Sequence, residues 1–426
     1  MGKKKGVLCH LTSLPIQDVE NAKKFISLLS ENNINAWQML PITPPDKLNS
    51  PYASSSAFAG WKELIGDFDQ VSTKNDSYWL DDWALFCSIK LHFKNIPWTQ
   101  WPIKLRDRHP DALDEWREKS EYKSKILDQN KFQAGWDEIH DFAKIKDVSL
   151  IGDIPIFVAH DSADVWAHRH LFQLEDDGTP SLVSGVPPDY FSEDGQKWGT
   201  VLYEWDAHEK ENYKWWKERI YRMLDLFDNV RIDHFRGFHS AWAIPIEDNH
   251  AKNGFWQEGP GQKIIDQIIE AAGSSSRIIA EDLGIIPEEV IELRVKNKLK
   301  GMAILQFGFD GDLTKNPHFP KNIKHNLVAY TGTHDNDTTV GWLDNLDEKS
   351  LSIIKKVAGT NEINVDTMIK LILSSNSELV IIPLQDILKL DSKSRMNMPG
   401  TIENNWKWKF SWSDSLINRM KWFGTL

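Results

Sequence analysis

Cysteine is scarce in this 426-residue chain: Cys9 and Cys87 stand far apart and outside any Cys-x-x-Cys spacing. That argues against a disulfide framework or a zinc knuckle, makes a reducing compartment the simpler expectation, and leaves both thiols to be buried. Long apolar runs are also lacking. None approaches the roughly 20 residues that cross a bilayer, so no membrane partner is expected. The basic start Met1-Gly2-Lys3-Lys4-Lys5-Gly6 is followed by only Val7-Leu8-Cys9 before His10, too short an apolar run for an export segment. Position 6 also lacks the Ser or Thr of a myristoylation signal, and a cytoplasmic protein is expected. Positive charge is in deficit, with 50 Lys and Arg against 62 Asp and Glu, a formal net charge of -12. Nucleic acid is therefore an unsuitable partner, and a neutral or cationic ligand fits better.

What the chain has in abundance is tryptophan, 20 residues of it. Trp79, Trp98, Trp101, Trp116, Trp198, Trp205, Trp406 and Trp408 sit among polar neighbours. A flat ring with one polar atom suits the face of a sugar as well as a protein core, and the core is the default for any one of them.

Eight apolar runs punctuate the chain, at 6–11, 36–42, 150–158, 229–237, 277–284, 302–307, 327–337 and 379–386. The intervals between them are mostly helical, with helix-period apolar faces at 19–32 and 211–227. This alternation predicts one α/β domain over 1–426, a (β/α)8 TIM barrel. A mostly helical insertion over 61–146 would follow the second strand, and an irregular substrate-loop insertion over 159–205 would follow the third. A doubly wound open sheet is the alternative, but His10-Leu11-Thr12-Ser13-Leu14-Pro15 after the first strand contains no glycine-rich phosphate turn.

Polar chemistry recurs at the C-terminal ends of these runs. Arg231-Ile232-Asp233-His234-Phe235-Arg236-Gly237 sets a carboxylate between two arginines, an arrangement that holds it ionised, or that forms an ordinary salt-bridge cluster; Arg231 is the expected partner of Asp233, and Arg236, past the strand end, is expected to be structural. Ala280-Glu281-Asp282-Leu283-Gly284 ends an isoleucine-rich strand, and Thr333-His334-Asp335-Asn336-Asp337 ends another. Asp153, inside an apolar run, must be paired or hydrogen-bonded, or else cap a neighbouring loop. On a barrel, Asp233, Glu281 and Asp335 converge on one pocket, a set suited to glycosidic bond chemistry. Asp233 would be the ionised nucleophile, Glu281 the less solvated acid, and Asp335 the stabiliser of a cationic transition state. The same oxygens could hold a divalent metal, but adjacent arginines would repel it, so no metal and no cofactor are expected.

Seven stretches in order resemble the 4-α-glucanotransferases, also called amylomaltases or disproportionating enzymes, of the α-amylase clan. They are 50–60 (Ser50-Pro51-Tyr52 through Gly60), 152–158 (Gly152-Asp153-Ile154-Pro155), 185–192 (Gly185-Val186-Pro187-Pro188-Asp189-Tyr190-Phe191-Ser192), 231–237, 280–284, 330–339 and 395–400 (Arg395-Met396-Asn397-Met398-Pro399-Gly400). The resemblance implies a retaining double displacement that moves an α-1,4-glucan segment from a maltooligosaccharide donor to a glucose or maltooligosaccharide acceptor. It implies Asp233 as nucleophile, Glu281 as acid/base and Asp335 as stabiliser. Tyr52, Asp153, Arg231, His334 and Asn397 would bind substrate, and Tyr190, Phe191 and Trp198 would belong to a loop that shields the intermediate from water. The chain departs from the family after Gly60, where relatives carry a longer insertion, at Thr200, where an asparagine usually stands, and after Asp337, where the segment is compact. A hydrolase of the same clan and an inactive glucan-binding protein are the alternatives.

Overall fold

Strands β1 (Lys4–Leu8), β2 (Ala36–Gln38), β3 (Ser149–Pro155), β4 (Leu182–Val186), β5 (Gln196–Val201), β6 (Asn229–Asp233), β7 (Ser240–Pro245), β8 (Phe255–Glu258), β9 (Ile278–Ala280), β10 (Gly301–Ile304), β11 (Leu327–Tyr330) and β12 (Leu379–Pro383) build two sheets in the computed structural model, which describes residues 3–74, 77–188 and 193–426. Eight of them run parallel in the order β10-β11-β12-β1-β2-β3-β6-β9. The ends of that sheet meet at the parallel bridge Ile279–Lys300, where the Ala280 amide donates to the Lys300 carbonyl at 2.7 Å. The result is the expected (β/α)8 barrel.

Side-chain alternation sorts each strand into an inner and an outer row. Leu8, Ile151, Ile279, Met302, Ile304, Tyr330 and Ile381 belong to the cluster that fills the barrel. Val7, Leu150, Val230, Ile232, Ile278, Ala329 and Ile382 face outward into the much larger cluster under the helices. Both rows are apolar, which is why these strands read as continuous runs. The strands stop short of the runs themselves: β2 ends at Gln38, while Met39, Leu40 and Ile42 stay buried in the loop beyond.

Between β2 and β3 the chain forms the helices Ser77–His92, Pro110–Arg117 and Ser120–Ile145. The long helix is held to the rest by Gln129, whose amide both accepts from the Gly60 N–H and donates to the Gly60 carbonyl, and by Trp136, whose Nε1 donates to the Leu226 carbonyl at 2.7 Å. Trp79, Trp98 and Trp101 are core residues. Cys9 is buried as expected, whereas Cys87 is only half-buried. β1 lies between β2 and β12, and its Lys5 Nζ donates to the Gly424 carbonyl of the helix Asp414–Thr425 at 2.5 Å.

A second sheet, unannounced by any apolar run, lies beside the barrel. The segment expected to be irregular contains β4 and β5, which pair with β7 and β8 in the antiparallel order β5-β4-β7-β8. Its own core is small: Val183, Ile244 and Ala251, with Trp242 against them. Strands that bury so little, such as Gln196-Lys197-Trp198-Gly199-Thr200-Val201, carry no apolar run to announce them.

Candidate active site

β3 and β6 are neighbours in register, with Asp153 opposite Arg231 and Pro155 opposite Asp233. Inward-facing positions two apart therefore place Arg231 beside Asp233 on one strand and Asp153 on the next. The Arg231 guanidinium exploits this. Its Nη1 donates to both Asp153 oxygens at 2.8 and 2.7 Å, and its Nη2 donates to Asp233 Oδ1 at 2.6 Å. Tyr52 completes the cage by donating its hydroxyl to Asp153 Oδ2 at 2.7 Å. Burial works against the Arg231 charge, but the flanking carboxylates of Asp153 and Asp233 outweigh it and raise its pKa. Burial, then the Asp153 charge, raises the Tyr52 pKa, so its hydroxyl stays a donor. Asp153 thus is a paired buried carboxylate and not a loop cap.

Glu281 follows directly after β9. One of its oxygens accepts from the His234 amide at 2.6 Å and the other from the Leu283 amide at 2.9 Å. Burial chiefly, and then the negative charge of Asp233, push its pKa up to about 7, against the opposing pull of Arg231 and the two amides. A carboxyl poised there can give a proton in one step and take one in the next.

Asp335 enters from the loop after β11. Asn397 Nδ2 donates to its Oδ1 at 2.6 Å, Arg395 Nη2 holds its carbonyl at 2.6 Å, and His334 Nε2 lies 3.3 Å from its Oδ2. The His334 ring stacks on Tyr52 with centroids 5.3 Å apart and planes 14° apart. Trp406 approaches both rings, at 5.9 and 6.0 Å. Across the cleft, Trp198 stands edge-on to His234 at 4.9 Å.

A cleft of about 1180 Å³, including the space open to solvent, is lined by Tyr52, Trp198, Asp233, His334, Asp335, Asn397 and Trp406, among others. Glu281 is joined to it through the His234 amide. Tyr190 and Phe191 lie outside the described residues. Two features sharpen the expectations drawn from the sequence. Arg236 does not flank Asp233, because the chain turns left-handed at His234 and enters the 3-10 turn Phe235–Phe238. Its guanidinium instead covers the Trp256 ring at 3.9 Å and donates to the Ile285 carbonyl at 2.9 Å. Trp406, Phe157 and Gln196 also line the cleft and were not singled out as site residues, although the Trp406-Lys407-Trp408 pattern was a signal for the first.

A metal would find the central position taken, since the Arg231 fork occupies the space between Asp153 and Asp233. Among the described residues no group of three or more His, Cys, Asp or Glu side chains is arranged to hold one.

The family model described as 4-alpha-glucanotransferase matches residues 9–76 and 62–415. A chloroplastic/amyloplastic 4-alpha-glucanotransferase of Solanum tuberosum is 40% identical, covering 98% of this chain and 84% of that protein. That alignment spans 483 positions against 426 residues here, so it carries gaps on this chain's side. A 4-alpha-glucanotransferase of Thermus thermophilus is 36% identical over 95% of this chain and 94% of its own. Among solved structures, an amylomaltase from Streptococcus agalactiae, in complex with acarbose, superposes with a TM-score of 0.93 at 32% identity and covers 99% of both chains.

Proposed function

Since this chain belongs to the 4-alpha-glucanotransferase family, we propose that Asp233, Glu281 and Asp335 carry out its transfer of α-1,4-glucan segments. Asp233 attacks the anomeric carbon of the donor while Glu281 gives its proton to the leaving glycosidic oxygen. The glucosyl unit then sits covalently on Asp233, and the shortened glucan departs. In the second step Glu281, now ionised, takes the proton from the hydroxyl of a glucose or maltooligosaccharide acceptor, whose oxygen displaces Asp233 and restores the α configuration. Asp335 stabilises the positive charge that develops on the sugar in both steps.

The observation that carries this reading is the difference in environment between the two carboxylates. Asp233 is hydrogen-bonded to a buried guanidinium, whereas Glu281 holds its proton up to about pH 7. Tyr52, Asp153, Arg231 and His334 grip the glucose unit beside the cleaved bond, Asn397 holds Asp335, and Trp198 helps keep water from the intermediate. Two distant thiols and an acidic surface suit a cytoplasmic enzyme acting on neutral maltooligosaccharides.

Incubation with maltotriose tests the reading. Products longer than the substrate, resolved as a ladder, are expected. Glucose and maltose alone would identify a hydrolase, and unchanged maltotriose a binding protein.

A further inference from the structure

His234, next to the proposed nucleophile, has a geometry that none of the chemical steps above explains. Its backbone is left-handed, with φ 51° and ψ 48°, a conformation disfavoured for any residue with a Cβ. That turn brings its N–H to Glu281 Oε2 at 2.6 Å. Glycine or asparagine would adopt the same backbone with less strain, so the ring calls for its own account. No hydrogen bond from Nε2 supplies one, since that nitrogen is enclosed with no partner among the described residues. Packing does. The ring meets Trp198 at 4.9 Å and 85°, and Phe157 at 6.3 Å and 45°.

Topology gives these contacts a consequence. From His234 the chain passes through Phe235–Phe238 into β7; β7 pairs with β4, β4 pairs with β5, and β5 carries Trp198 back onto the His234 ring. A displacement of the β4–β5 pair that moves Trp198 therefore bears on the residue whose amide holds Glu281. Resting on the function proposed above, we infer that His234 is a positioning residue that couples the Trp198 strand to the acid/base. With Trp198 packed on the ring, the His234 amide is held on Glu281 Oε2; with Trp198 lifted away, that donor loosens. A backbone donor favours the ionised carboxylate, which is the form that must accept a proton from the acceptor sugar. The Trp198–His234 contact thus sets Glu281 for the second step. The charged groups facing Glu281 are Asp233 and Arg231, both from β6 and both unaltered by the test below.

The test compares wild type, His234→Gly, Trp198→Ala and the double variant by the pH profile of kcat/KM on maltotriose. Each single variant is expected to move the basic limb upward by about half a unit, because the amide donor, no longer held by the ring contact, loosens from the carboxylate. In His234→Gly kcat falls about 5–10-fold with KM within about twofold. The double variant shows no further shift, the mark of two residues acting through one contact. His234→Phe, which restores a ring against Trp198, recovers most of the wild-type limb. Limbs superimposable on wild type, or shifts that add in the double variant, overturn the coupling. If His234→Gly does not fold, the half-exposed Trp198→Ala carries the test alone, read by the presence or absence of its shift. Wild type that makes no longer products defeats the functional reading itself; wild type that transfers, with variants whose limbs do not move, defeats only this inference.

Discussion

Asp335 lines the cleft, Asp153 is buried and meets it through Tyr52, and the two are held in contrasting ways. The Asp153 side chain is fully buried, opposite its arginine in strand register, and accepts from both Arg231 and Tyr52. The Asp335 side chain is 45% exposed and depends on Asn397, from a different loop, with His334 at its edge. A charge in the first setting cannot shift without leaving a buried partner unpaired. One in the second can move at little cost. On the function proposed above, the rigid setting suits a glucose unit that must be held in one pose, and the loop-built one a charge needed only as the transition state forms.

That contrast can be broken at its centre or at its edges, and the effects should fall in order. Asp233→Asn should lower transfer from maltotriose by about 10³-fold or more while maltooligosaccharide binding persists by calorimetry. Surviving turnover would mean another group attacks. Arg231→Met leaves two carboxylates facing each other without their cation, and should cost about 3–5 kcal/mol in denaturant unfolding as well as most activity. A variant as stable as wild type would show that the rigid side is not held by this ion pair.

Glu281 supplies a pH test. Its folded pKa of about 7 lies above the ordinary 4.5, so between those values the folded chain keeps a proton that the unfolded chain has released. The contribution of this group to stability therefore falls as pH rises through that window, and activity that needs the protonated acid falls as pH passes about 7. Melting curves of Glu281→Gln should show a flatter pH dependence than wild type there, while an identical slope would place the titration elsewhere. The smallest effect belongs to the open side. Asn397→Ala should reduce kcat/KM about tenfold with stability changed by about 1 kcal/mol or less, since it removes one bond to a half-exposed group.

Sequence periodicity revealed the barrel because both faces of its strands are buried, so each appears as an apolar run bounded by polar residues. The same logic marked Asp153, Asp233 and Glu281, which interrupt or end such runs. It could not reveal β4, β5, β7 and β8, whose sheet buries three residues of its own. The strand end also separated Arg231, within β6, from Arg236 beyond it, and the structure keeps that division. Both flank Asp233 in sequence, and only the left-handed turn at His234 sends the second toward Trp256. Trp198 and Trp406 were visible as tryptophans among polar residues, but so were Trp98 and Trp101, which are buried in the core.

The place of β1 between β2 and β12 governs how such a chain can be made. Synthesis delivers β1 long before β12, and this one of its two neighbours does not exist until translation has passed Leu379. Until then the edge of β1 that β12 will cover remains unpaired, while Lys5 waits for the carbonyl of Gly424. The barrel therefore closes only once β12 has been made, and an open parallel edge of this kind invites association with other nascent chains.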